Sequence, residues 1–67
     1  MGTIEPFYAD LGRLVSAARQ RAGLTQERLG SELDPGMTRA AIANIEAGKQ
    51  RVLVRTLVQL AAVLKIE

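Results

Sequence analysis

The sequence predicts an all-α domain of four short helices around one small core, and three observations carry that expectation. Apolar residues recur at steps of three and four along the chain, as one buried helical face requires. Stop and cap residues divide this pattern into four blocks: Gly23 before Thr25, Asp34-Pro35-Gly36 before Thr38, and Gly48 before the last block. A chain of 67 residues has room for one domain and one modest core.

Residues 1–5 read as a frayed end, and Pro6 suits a first helical turn because it lacks an N–H and presets its backbone angle. From there Phe7, Leu11, Leu14, Val15, Ala18 and Ala22 are expected to line the buried face of the first helix, which Gly23 ends with a left-handed cap. Thr25 caps the second helix, and Glu27 stands in its first turn, where the helix dipole favours negative charge. Leu29 and Leu33 face inward. Gly30 between them is a poor helix former, costing about 1 kcal/mol relative to Ala, so its presence implies that another backbone passes close by.

Asp34-Pro35-Gly36 reads as a turn in which Asp opens, Pro presets the next residue and Gly takes a positive φ. Met37 is expected to plug back into the core. Thr38 caps the third helix, which runs to Ala47 and stops at Gly48. Ile42 and Ile45 face inward, leaving Arg39, Ala40, Ala43 and Asn44 on an outer face that is small and almost bare of acids. Lys49, Gln50 and Arg51 form a basic connection to a fourth helix from about Leu53 to Lys65. Its core face is Leu57, Leu60, Ala61 and Leu64. Val52, Leu53, Val58, Ala62 and Val63 add apolar character elsewhere, more than a water-facing side carries, and Val52, Leu53, Val58 and Ala62 are the candidate surface for a homodimer.

Composition excludes several classes. With no Cys there is no disulfide, and with no Cys or His the usual zinc ligands are absent. No metal or other cofactor is expected, and no enzyme, because no nucleophile stands beside an evident base. No apolar run reaches membrane-spanning length, the start lacks a signal-peptide layout, and Pro6 spoils the myristoylation pattern that Met1-Gly2 begins. A cytoplasmic protein fits. The net charge is only +2, but residues 11–66 hold all nine Lys and Arg against four acids, or +5. One Phe and one Tyr, both near the start, argue against aromatic platforms for single-stranded bases.

These residues resemble the phage-repressor and Cro-like helix-turn-helix family, of the xenobiotic-response-element type. The resemblance rests on Leu14-Val15, Ala18-Arg19, Gly23-Leu24-Thr25-Gln26-Glu27 and Leu29. It continues through Ile42, Asn44-Ile45-Glu46, Gly48-Lys49, Thr56-Leu57, Leu60-Ala61 and Leu64, in order, over about residues 11–66. It implies that helices 2 and 3 form a helix-turn-helix, with Arg39, Ala40 and Asn44 facing base edges in the major groove of double-stranded DNA. Gln26, Thr38, Lys49 and Arg51 would touch phosphates, and Arg19 with Glu46 would form an internal salt bridge. The turn between helices 2 and 3 is two residues longer than the family's Gly-centred version, and Val52-Leu53 replaces a Pro and polar cap before helix 4. The fifth helix of several members is either missing or lies beyond the end of this sequence.

The physics of such a site stands without the family. A Thr38-capped helix start offers N–H groups to a phosphate. Arg39 can bind guanine O6 and N7, and Asn44 can pair with adenine or reach a phosphate. Arg13, Arg21 and Arg28 are further candidates for phosphate contact. The expected function is a sequence-specific transcriptional regulator, a repressor acting as a homodimer on a two-fold operator at the nucleoid. The competing reading is a helical protein-interaction module, antitoxin-like or a scaffold, in which contact with DNA is secondary or absent; the apolar surplus of helix 4 favours it.

Overall fold

Four helices form among residues 6–65, the part of the chain that the computed structural model describes. The expected frayed end at residues 1–5 lies outside the described residues. The helices are α1 (Pro6–Arg21), α2 (Gln26–Ser31), α3 (Arg39–Glu46) and α4 (Val54–Leu64), with no strand among the described residues.

Local chemistry explains the boundaries. α1 ends in a Schellman motif, with Leu24 N–H donating to Arg19 O (3.1 Å) and Gly23 N–H to Gln20 O (3.0 Å). Thr25 Oγ1 then accepts from Arg28 N–H at 3.0 Å, and Thr38 Oγ1 from Ala41 N–H at 3.1 Å, so both helices of the central pair have side-chain caps. α3 closes as α1 does, with Lys49 N–H on Asn44 O (2.9 Å) and Gly48 N–H on Ile45 O (3.0 Å). Gly48 has φ +72° and lies against α1: a Cβ there would come within 2.8 Å of Ala9 Cα. α4 begins after Leu53 without a side-chain cap and ends at Lys65 in the left-handed conformation.

Val15, Ala18, Leu29, Leu33, Ile42, Leu60 and Leu64 form the core, with Leu11, Leu24, Met37, Val52 and Val63 packed around it. Ile45 is also buried. Three expected core residues of α1 are not there: Phe7, Leu14 and Ala22 are exposed. Ala22 lies past the end of α1; for Phe7 and Leu14 the reason is Gly12, which is buried against α3, where a Cβ would come within 2.5 Å of the Ile45 and Glu46 carbonyl oxygens. Backbone contact at Gly12 turns the inward stripe of α1 to Leu11, Gly12, Val15 and Ala18, and Phe7 and Leu14 fall on its flank.

Gly30 meets the carbonyl oxygen of Met37, which a Cβ would strike, and this is the close backbone its place in a helix implied. Gly36 differs from expectation. Positive φ among the described glycines is confined to Gly23 and Gly48, and the Asp34–Pro35 peptide is cis. The connection is closed instead by hydrogen bonds, Met37 N–H to Gly30 O (3.0 Å) and a reciprocal pair between the Asp34 backbone and the Gln59 side chain. Val52 also departs from its expected place. It is partly buried against the core rather than on the outer surface with Leu53, Val58 and Ala62, because the chain turns inward there before α4.

Candidate nucleic-acid interface

α3 is amphipathic in an unusual way, since its outward side is nearly all alanine. At about 100° per residue, Arg39, Ala43, Ala47, Ala40 and Asn44 follow one another around an arc of about 140°. Ile42 and Ile45 lie on the opposite side and are buried. Arg39, Ala40, Asn44 and Ala47 are exposed and Ala43 is half-buried. Arg39 and Asn44 thus stand at the two edges of an alanine floor. With such short side chains the rod stays close to the bare helix diameter of about 10 Å, against a major groove about 12 Å wide.

Arg39 is the one charged residue of the arc. Arg39, Lys49 and Arg51 are exposed and have no carboxylate partner among the described residues, and neither do Arg21 and Arg55. Arg13 and Arg28 are instead paired on the surface with Asp10 and with Glu32 (2.8 Å). Two of the further phosphate candidates are therefore partly neutralised. Arg55 did not stand out in the sequence because nothing in its neighbours marks the first turn of α4 as a basic surface.

A part-buried polar junction holds the arc in place. Arg19 Nε donates to Glu46 Oε2 at 2.7 Å and its Nη2 to Glu46 Oε1 at 3.2 Å, while Nη1 donates to Leu24 O at 2.8 Å. Gln26 Nε2 donates to Glu46 Oε1 at 3.0 Å. One carboxylate at the end of α3 thus ties α1, the α1–α2 connection and the start of α2. Burial works to raise the Glu46 pKa. The hydrogen bonds from Arg19 and Gln26, the Arg19 charge and a contact with Ser16 outweigh that and hold it below the ordinary carboxylate value. No buried side-chain polar atom among the described residues lacks a partner.

Gln26 is therefore more engaged than its expected phosphate role suggests. One of its two amide hydrogens is used on Glu46, and the other remains for an outside acceptor. Thr38 likewise caps α3 with its oxygen while its own hydroxyl hydrogen stays available. Lys49 and Arg51 project from the connection after α3, where Lys49 is positioned by the Schellman bond of its own N–H.

Sequence reasoning missed Gly12, Gln59 and the Gln26–Glu46 bond. The rule applied to Gly30, that a glycine inside a helix marks a close approach, would have found Gly12 too. Gln59 carries no such signal, because its partner is a backbone group 25 residues away.

No curated protein and no solved structure gave a significant match to the chain. No helix among the described residues is long and apolar enough to cross a membrane. The family model described as helix-turn-helix matches residues 15–67, which takes in α2, α3 and α4 and the part of α1 from Val15 on. Its match over that span, on a fold whose second and third helices carry the capped pair and the open alanine arc, places this chain in the Cro/C1-type, phage-repressor-like helix-turn-helix family of DNA-binding regulatory domains.

Proposed function

We propose that the protein is a sequence-specific repressor that binds double-stranded operator DNA as a homodimer, with α3 in the major groove. The observation that carries this reading is the exposed arc from Arg39 to Asn44, floored by alanine and free of carboxylates. Arg39 reads guanine through its two-pronged guanidinium, Asn44 reads adenine, and Ala40 packs on a thymine methyl. Thr38, Gln26, Lys49 and Arg51 grip phosphates and set the register without reading sequence. The work is done at the nucleoid, in the cytoplasm.

The homodimer is supported by α4. Leu53, Val54 and Val58 are 69%, 76% and 61% exposed, and with Ala62 they make an apolar strip that one copy cannot cover. Two copies joined there would read half-sites about 34 Å, or a multiple of that, apart on one face of the duplex. The same strip is what a protein-interaction module would use, so the two readings are separated on DNA.

Polarisation titrations of unselected random duplex at two salt concentrations test the proposal. Binding that weakens steeply with salt is expected, and binding that is absent or indifferent to salt overturns it. Against a duplex recovered by selection from a random library, Arg39→Ala is expected to lose about 1–3 kcal/mol while its circular dichroism is unchanged. Lys49→Ala is expected to weaken all sequences alike and to reduce the salt slope by about 1.

A further inference from the structure

The connection between α2 and α3 spans residues 32–38, and one side chain from the far helix grips its middle. Asp34 N–H donates to Gln59 Oε1 at 3.0 Å, and Gln59 Nε2 donates back to Asp34 O at 2.5 Å. A single amide thus satisfies both backbone groups of one residue, in the ring-like pairing that neighbouring strands use. Gln59 is itself fixed by its neighbour Leu60, which is buried in the core. On either side of the clamp, Leu33 is buried and Met37 N–H bonds Gly30 O.

α3 needs this support. It is eight residues long, and its deep anchors, Ile42 and Ile45, are its fourth and seventh residues. Those anchors limit rotation, but no side chain of α3 ahead of Ile42 is buried, so Arg39 to Ala41 at its very start take no support from the core through their own side chains. That end is held through the connection, and Asp34 is four residues upstream of the Thr38 cap. A bidentate contact to a base tolerates about 0.5 Å of misplacement, so a loosened first turn forfeits base reading. Contacts to phosphate from Lys49 and Arg51, at the other end of α3, do not depend on it.

We propose that Gln59 is a positioning residue for base recognition: by clamping the Asp34 backbone to α4 it fixes the start of α3, and with it Arg39, against the bases. The proposal rests on the DNA reading given above and adds to it a specificity determinant on a helix that never enters the groove.

The test is Gln59→Met, which keeps the length of the side chain and removes both hydrogen bonds. Wild type and variant are titrated with two probes, the duplex recovered by selection with the wild-type chain and unselected random duplex. Amide exchange at Asp34 is followed by NMR on the free proteins. The variant is expected to bind the selected duplex about tenfold more weakly, the equivalent of two neutral hydrogen bonds. Its salt slope should be unchanged, because Thr38, the phosphate contact at the loosened end, carries no charge. Its affinity for random duplex should fall by no more than about twofold, the loss of one weak neutral hydrogen bond, and the Asp34 amide should exchange faster.

A variant that merely folds less well would lose both affinities in proportion, and that result overturns the positioning role while leaving DNA binding intact. So does a variant that keeps its preference for the selected duplex, or one whose Asp34 amide stays as protected as in the wild type. If the wild-type chain binds neither duplex, the DNA reading fails and the role of Gln59 in it fails too.

Discussion

Removing Glu46 should nearly unfold the domain, and the reason lies in how its two partners are placed. The Arg19 and Glu46 side chains are only 14% and 7% exposed, so water screens the pair weakly. Glu46→Leu leaves a guanidinium in that site with the Leu24 carbonyl oxygen as its remaining partner, and it strips Gln26 of its acceptor. Breaking a buried pair on one side costs about 3–5 kcal/mol. At about 0.05–0.15 kcal/mol per residue, a chain of this size has roughly 3–10 kcal/mol in total. The melting temperature should fall by roughly 15 °C or more. Arg19→Met should cost a similar amount, because it leaves the carboxylate alone. The double variant Arg19→Met/Glu46→Leu buries no lone charge and should recover at least about 2 kcal/mol of the summed loss. Urea unfolding followed by circular dichroism at neutral pH measures all four corners of the cycle. Single losses below about 1 kcal/mol, the level of a surface pair, would refute the reasoning, and so would additivity within about 0.5 kcal/mol.

Acid should tell the same story. The pKa of Glu46 is lowered on folding, against the pull of burial, by Arg19 and Gln26. Its stabilisation is therefore complete above the unfolded carboxylate value, about 4.3, and is lost as pH falls through the lower folded value. The wild-type unfolding free energy should drop in that window, and Glu46→Gln should remove the part of the drop that belongs to this carboxylate. Gly12→Ala should destabilise by about 1–3 kcal/mol, less the helix-propensity gain of about 1 kcal/mol that Ala brings, because the added Cβ meets α3 backbone rather than a movable side chain. Retained stability in the same urea assay would show that α1 and α3 can part at little cost. Val58→Asp should change monomer stability by no more than about 0.5 kcal/mol, yet abolish self-association by sedimentation equilibrium. An unchanged dimer would place the contact elsewhere.

Much of this molecule was legible in the chain because its signals are local. Thr25 and Thr38 cap helices through N–H groups three residues on, and Gly23 and Gly48 end them through bonds that span one turn. Spacing alone therefore located the helices, and the i, i+3 step from Ile42 to Ile45 settled which side of α3 faces out. The pair of Arg19 and Glu46 is separated by 27 residues, so only likeness to a family brought it into view.

Where sequence reading failed, the deciding contact joined residues distant in the chain. Phe7 and Leu14 fit the apolar period of α1 as well as Val15 does, and nothing local says which flank will be covered. The α3 carbonyls docking at Gly12 decided that, since two backbones can approach only where a Cβ is missing. Val52 was drawn into the core by the same tertiary closure. By itself the sequence determined the helices, their caps and the outward side of α3, because hydrogen bonds and periodicity within a few turns suffice for these. The tertiary structure alone decided the rotation of α1, the junction at Glu46 and the grip of Gln59 on Asp34, because each depends on which surfaces meet once the chain has closed.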